Sequence, residues 1–267
     1  MTLRTVFWQK LRRPEIAAAR DEGAVVLLPI GSTEQHGAHL AVDMDVATAT
    51  AICARAAVLV TEFPVLVAPS IWSGYSPHHM DNPGTITLRF STFAAVVTDV
   101  IDSILHHGFR HVVLVNGHGG NIGHLTALST KLGTTGRSVA FASWWNLVGA
   151  DFESILNGDL KGVGHACEAE TSCYLALDPA GVDLTLAVRT EPDSHVVAID
   201  QSAFSTAGVT FPPIFLAGSS GVHGDPTLAT AEKGEKILSL AAGRLAAFVR
   251  SYRDVDLGPA RSLLSDT

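Results

Sequence analysis

The run Ala24-Val-Val-Leu-Leu-Pro-Ile30, continued by Gly31-Ser-Thr-Glu34-Gln-His36-Gly-Ala-His39-Leu-Ala-Val-Asp43-Met-Asp45, sets the fold expected of this chain. An unbroken apolar run of this length reads as a buried strand. Polar groups at the end of such a strand face the crevice where open α/β sheets hold their ligands. Glu34 and His36 lie two apart, so in an extended segment both side chains project to the same side. Oxygen and nitrogen donors without a thiolate suit Zn²⁺, Mn²⁺ or Fe²⁺. A lone Glu-x-His is more simply a polar loop with satisfied side chains. Two further clusters change that balance.

Asn116-Gly-His118-Gly-Gly-Asn121 follows a second apolar run, 111–115, and precedes a helical pattern over 122–132. Its glycines let backbone approach a ligand where a Cβ would clash. His165-Ala-Cys-Glu168-Ala-Glu170-Thr-Ser172 heads a helix expected to end at Leu177. Glutamates at a helix start are ordinary capping chemistry, but His165 is not explained that way. Three such clusters, two of them at the ends of strand-like runs, point to one dinuclear metal site.

Further apolar runs at 65–68 and 138–142 alternate with helical patterns at 46–60, 92–107 and 229–252. This alternation predicts an α/β fold with a mainly parallel sheet covered on both faces. With no repeat or composition break, 1–267 is expected to be a single domain. The net charge of −8 excludes a nucleic-acid or anionic-membrane surface, which calls for clustered Lys and Arg. No apolar run approaches a membrane span, and the first residues lack a signal-peptide core. Three cysteines without a C-x-x-C pair fit a reducing cytoplasm. The irregular segment 191–225 has a length usually tied to function or to an interface.

Taken together, the motifs resemble the creatininase family of metal-dependent amidohydrolases. The likeness is carried by Gly31-Ser-Thr-Glu-Gln-His-Gly, Asp45, Ser76-Pro-His-His79 with Pro83-Gly-Thr85, Asn116-Gly-His-Gly-Gly-Asn121, His165 and Glu170-Thr-Ser172. Gly221-Val-His-Gly-Asp-Pro226 and Ala231-Glu-Lys-Gly234 also match it. The resemblance implies a three-layer α/β/α sandwich with a binuclear centre at the carboxyl edge of the sheet, two divalent ions per chain (Zn or Mn, with Fe possible) and a homohexamer. It places Glu34 and His118 on one metal, His36 on the other and Asp45 between them. In creatinine-cleaving members the turn reads N-G-H-Y-E-N, its Glu completing the second metal. Here Gly119 and Gly120 stand at those positions, so Glu170, or else Glu168, is expected to supply the missing carboxylate. A Trp-Asp pair of those members falls on Lys161-Gly162, which argues against creatinine as the substrate.

On such a site two ions lower the pKa of a shared water and polarise a scissile carbonyl. The expected chemistry is hydrolysis of an amide-type C–N bond, in a lactam or formamide, within a small molecule. The same machinery suits a keto-inositol ring or a small peptide precursor, which other relatives cleave. His165 is the candidate general acid, with the rival role of second-metal ligand. Glu170 counts among the catalytic groups through its place on the metal. His79, Ser76, Trp144 and Gly119 are expected to line the substrate pocket. A lower-ranked alternative is a non-catalytic nucleotide-binding domain with 116–121 as a phosphate loop, although the glycines miss the G-x-G-x-x-G spacing.

Overall fold

The computed structural model describes residues 3–137, 139–190 and 220–257. Most of the irregular segment expected over 191–225, as far as residue 219, therefore lies outside the described residues, as do His195 and Ser138. In chain order the elements are α1 (Arg13–Asp21), β1 (Val25–Ile30), α2 (Met44–Leu59), β2 (Val65–Val67), α3 (Phe90–His106), β3 (His111–Asn116), α4 (Ile122–Thr134), β4 (Ala140–Ser143), α5 (Trp144–Val148), α6 (Phe152–Ile155), α7 (Glu168–Leu177) and α8 (Ala231–Arg253).

Among the described residues four strands form one sheet, parallel and ordered β2-β1-β3-β4, with Val25 opposite Val65 on one side and Ile30 opposite Asn116 on the other. Alternation along the strands divides the core in two. Val25 and Leu27 of β1, with Val113 and Val115 of β3, pack against Met44 and Ile52 of α2, the α7 residues Ala169 and Cys173, and Ile237 and Leu245 of α8. Val26, Leu28 and Ile30, with Val112 and Leu114, meet Ala19 of α1, Phe93 and Ile101 of α3 and Leu125 of α4. Full burial of a side chain of this size contributes about 1.5–3 kcal/mol. Two helical layers thus enclose one parallel sheet, the α/β/α sandwich expected.

The expected strands and long helices all form, with ends moved by up to two residues. The sequence pattern did not announce α1, whose only fully covered side chain is Ala19. Its start is set by Pro14 in the first turn and by Glu15, whose Oε2 accepts the Arg12 N–H at 2.8 Å. Trp144 and Trp145 follow β4 directly and open α5.

Candidate metal centre

Neighbouring strands β1 and β3 send the chain in opposite directions across the sheet, β2 beyond one and β4 beyond the other. Their carboxyl ends form the switch point where open sheets hold ligands. The segment leaving β1 carries Glu34 and His36 over this edge, and α2 presents Asp45 from its first turn. His118 follows β3 by two residues. Asn116 braces it, accepting the His118 N–H at 3.2 Å and donating to the His118 carbonyl at 2.8 Å.

Donor atoms of Glu34, Asp45 and His118 lie within 4.8 Å of one another, as do those of His36, Asp45 and Glu170 and those of Glu34, His36 and His165. Asp45 belongs to the first two groups and is the member they share. His118 Nδ1 stands 3.1 Å from Glu34 Oε2 and 3.3 Å from Asp45 Oδ2, and His36 Nε2 stands 3.4 Å from Asp45 Oδ1. All six residues are buried.

The imidazoles are oriented by backbone. His36 Nδ1 lies 3.1 Å from the Glu34 carbonyl, His118 Nε2 lies 3.1 Å from the Tyr75 carbonyl, and His165 Nε2 lies 2.7 Å from the Gln35 carbonyl. A carbonyl can only accept, so in each neutral ring the outer nitrogen carries the proton and the inner one turns a lone pair on the carboxylates. Lone pair against carboxylate is repulsive unless a positive charge lies between them. Buried His36 Nε2 and Asp45 Oδ2 make no well-formed hydrogen bond. Outer N–H bonds to backbone and inward nitrogens are how proteins hold metal-ligating histidines. The residues present fit divalent ions.

Protons compete with an ion for these nitrogens. Burial opposes a charge on His36, but the adjacent Asp45 carboxylate outweighs it and carries the pKa up to about 10. Burial is likewise overcome at His118, which Glu34 and Asp45 hold well above its ordinary value. Burial would raise Glu34, yet His118, His79 and His165 hold it well below the usual carboxylate range. Burial lifts Glu170 to about 7, against His36 and with the help of Asp45 and Glu34. Burial, with His79 and His36 beside it, holds His165 well below its ordinary value.

The structure brings Glu34, His36, Asp45, His118, His165 and Glu170 together but turns Glu168 away. Its carboxylate accepts the N–H groups of Asn157 (2.9 Å) and Gly158 (2.8 Å) and pairs with Lys233 Nζ at 2.5 Å. Ser76, expected in the pocket wall, is fully buried and spends its hydroxyl on Glu34 Oε2 at 2.6 Å, propping that carboxylate from behind. Trp144 is also corrected. It is fully buried in the core, packed against Trp145 and Phe152, and does not cover a substrate. His79 does border the cluster, its Nε2 3.4 Å from Glu34 Oε1 and its ring stacked on His165 with centroids 4.2 Å apart. Gly119 opens the half-turn Gly119–Asn121 beside His118. Cys167 is a buried filler whose thiol burial pushes up to about 12. His39 is buried and bonds Thr171 Oγ1 at 2.9 Å through Nε2.

A Cβ at Gly120 would meet the Tyr75 carbonyl, His118 and His78, so this turn is packed closely against the segment 75–78. Sequence reasoning missed Gln35, which joins four segments of the site, and Asn121, which accepts the Tyr75 N–H at 3.0 Å and donates to the Gly31 carbonyl at 3.1 Å. Both lie inside motifs of the resemblance, but no spacing or composition gave either a role.

Residues 9–249 match the family model described as Creatininase: Creatinine amidohydrolase. The creatinine amidohydrolase of Pseudomonas putida is 30% identical over 92% of this chain and 97% of its own length. A mycofactocin precursor peptide peptidase of Mycobacterium tuberculosis is 33% identical over 80% of each chain. A 3-dehydro-scyllo-inosose hydrolase of Thermotoga maritima is 28% identical over 93% of this chain and 84% of its own. A solved manganese creatininase superposes with a TM-score of 0.77 at 29% identity, over 94% of this chain and 100% of that one. A mutant creatininase of the Zn-Zn type gives the same TM-score and identity over 95% and 100%.

Proposed function

This chain belongs to the creatininase family and is a hydrolase of it, and from that premise we propose that it cleaves an amide-type C–N bond, in a lactam or formamide, on a centre of two divalent ions. The observation that carries the proposal is the pair of donor groups sharing Asp45, with three imidazoles turning bare nitrogens inward. Glu34 and His118 would hold one ion and His36 and Glu170 the other, with Asp45 common to both donor groups. Zinc and manganese, the metals of the solved relatives, suit these oxygen and nitrogen donors. Two such ions would supply an acidified water and a Lewis acid for the substrate carbonyl.

The remaining work falls to the chain's own residues. His165, with Nδ1 3.6 Å from Glu34 Oε1, takes a proton from the attacking water at that nitrogen and delivers it to the departing amine, which is too basic to leave as an anion. His79 borders the same carboxylate and contacts the substrate. The cluster's burial favours a small molecule over the middle of a polypeptide. The relatives that act on an inosose and on a peptide precursor keep a keto-inositol and a short peptide as the alternative substrates.

We propose that residues 1–267 form one domain that acts on a small molecule and engages neither nucleic acid nor membrane, in the cytoplasm and as a homo-oligomer, a hexamer. Among the described residues no helix is long and apolar enough to cross a membrane. Exposed Trp72, Ile86 and Phe90 offer apolar surface for a second copy.

The test is a hydrolysis screen over lactams, formamides, keto-inositols, short peptides and creatinine with Zn²⁺ or Mn²⁺, alongside metal analysis. Turnover of a lactam or formamide with about two metals per chain supports the proposal. Turnover confined to inositols or peptides replaces the substrate class, and a metal-free chain sinks the centre itself. In His165→Asn, retained metals with a loss of roughly 10²–10⁴-fold on poor leaving groups supports the proton-transfer role. Loss of one metal would make His165 a ligand instead.

A further inference from the structure

Between Glu34 and His36, the side chain of Gln35 points away from solvent and is 5% exposed. Its Oε1 accepts the Gly37 N–H at 2.9 Å, which leaves the Nε2 amide as the donor end. That end lies 3.1 Å from the Gly221 carbonyl and 3.0 Å from His79 Nδ1. Two protons and two acceptors match, so His79 Nδ1 is an acceptor and its proton sits on Nε2, aimed at Glu34 Oε1 3.4 Å away. Gln35 Nε2 also lies 3.0 Å from His165 Nε2, but that contact joins two donors, because His165 Nε2–H is spent on the Gln35 carbonyl at 2.7 Å. The carbonyl thus leaves His165 Nδ1 bare, 3.6 Å from the same Glu34 Oε1.

We propose that Gln35 is a positioning residue that sets the tautomers of both pocket histidines, its carbonyl fixing His165 with a bare nitrogen toward the centre and its carboxamide fixing His79 with an N–H toward it. Two stacked rings then offer opposite chemistry at one point: His165 takes up a proton, and His79 donates a hydrogen bond to an oxygen that gains charge. This deepens the hydrolase proposal and rests on it for its consequence, though not for its geometry. The fold is shaped for the carboxamide. Gly221 has φ +63°, and a Cβ there would lie 2.1 Å from Gln35 Oε1. The Gly221 segment is in turn paired with the His165 segment by reciprocal backbone bonds of 3.1 and 2.8 Å between His165 and His223. The backbone N–H of Gln35 donates to the Thr85 hydroxyl at 3.1 Å, and that hydroxyl donates to the His79 carbonyl at 3.1 Å. Gln35 therefore reaches every segment that carries a pocket histidine.

The experiment is long-range ¹H–¹⁵N correlation NMR of the zinc-loaded protein, with signals assigned from His79→Gln and His165→Asn. Both rings are expected to carry their proton on Nε2. In Gln35→Glu the introduced carboxylate keeps the size but loses both N–H donors. His79 is then expected to move its proton to Nδ1 while His165, held by a backbone carbonyl, does not change. Turnover on whichever substrate the screen yields is expected to fall roughly 10–100-fold in kcat, with KM moving less than about threefold and metal content unchanged. An Nδ1–H signal for wild-type His79, or an unchanged His79 tautomer in Gln35→Glu, would overturn the proposal. The wild-type spectrum decides even if the variant does not fold. A protein with the expected tautomers that turns over none of the substrates would defeat the hydrolytic use and leave the positioning role standing.

Discussion

The carboxylate of Glu168 and the ammonium of Lys233 are paired at 2.5 Å, with Lys233 Nζ also donating to the Leu228 carbonyl at 2.7 Å. Both residues of the pair are largely removed from water. The pair ties α7 to the start of α8 and, through Asn157 and Gly158, to the loop after α6. Residues two apart on a helix are about 200° apart around its axis. Once Glu168 is turned to Lys233, Glu170 must face the other way, toward His36 and Asp45.

Glu168→Gln and Glu170→Gln are therefore expected to fail in different ways. Breaking a buried pair by removing one partner costs about 3–5 kcal/mol, and Lys233 keeps a carbonyl and some water, so about 3 kcal/mol is expected for Glu168→Gln, with both metals retained. Glu170→Gln is expected to keep its stability when metal-free and to lose one metal per chain. Thermal unfolding and elemental analysis of the two proteins check this, and a Glu168→Gln protein short of one metal would reverse the assignment.

Asp45→Ala is expected to empty both sites, because Asp45 is common to the Glu34–His118 and the His36–Glu170 groups. His36→Ala removes a donor from one site and is expected to leave about one metal. Two metals in purified Asp45→Ala would show that Asp45 is not the bridge.

Gly120→Ala tests the closeness of the second turn. A Cβ there would stand 2.3 Å from the Tyr75 carbonyl and 2.4 Å from His118 Nε2. The carbonyl is backbone and also fixes the His118 ring, so it cannot move freely. Overpacking of this kind costs about 1–3 kcal/mol, and a loosened His118 is expected to weaken the metal it shares with Glu34. An unchanged melting temperature with full metal content would contradict the close packing.

Metal uptake is expected to release protons and to strengthen as pH rises. In the metal-free protein His36 titrates at about 10 and His118 well above its ordinary value, so both rings are charged at neutral pH and must lose a proton to bind. Each such proton costs about tenfold in affinity per pH unit below its pKa, or about a hundredfold for the pair. Glu170, at about 7, adds a further proton below neutrality. For the metal-free fold the sign is opposite. A raised His36 contributes stability that is present in full below its unfolded value near ~6.5 and is lost as pH climbs through about 10. Zinc titration in weak buffer at two pH values, counting protons released, measures the first effect; pH-independent affinity would refute it.

By itself the sequence determined the layers of this protein and the chemistry of its centre. Val25 to Ile30 and Val112 to Val115 read as covered strands because they are short, apolar and rich in β-branched residues, and the polar residues after them then stand at the sheet's carboxyl edge. Glu34, His36, Asp45 and His118 were legible because local chain geometry carries each to that edge. Packing between distant segments decided the rest. Glu168 and Glu170 are equivalent by type and differ only because Lys233, on α8, claims one of them. Ser76 was expected to meet substrate but is sealed behind Glu34. Trp144 was expected over the pocket, yet the chain turns into α5 at that residue and folds the ring into the core. Gln35 carried no signal in the sequence, because a carboxamide gains meaning from partners such as His79 and Gly221, which tertiary structure brings within hydrogen-bond reach. Periodicity and donor type act within a few residues along the chain, whereas a hydrogen-bond partner is fixed by position in space.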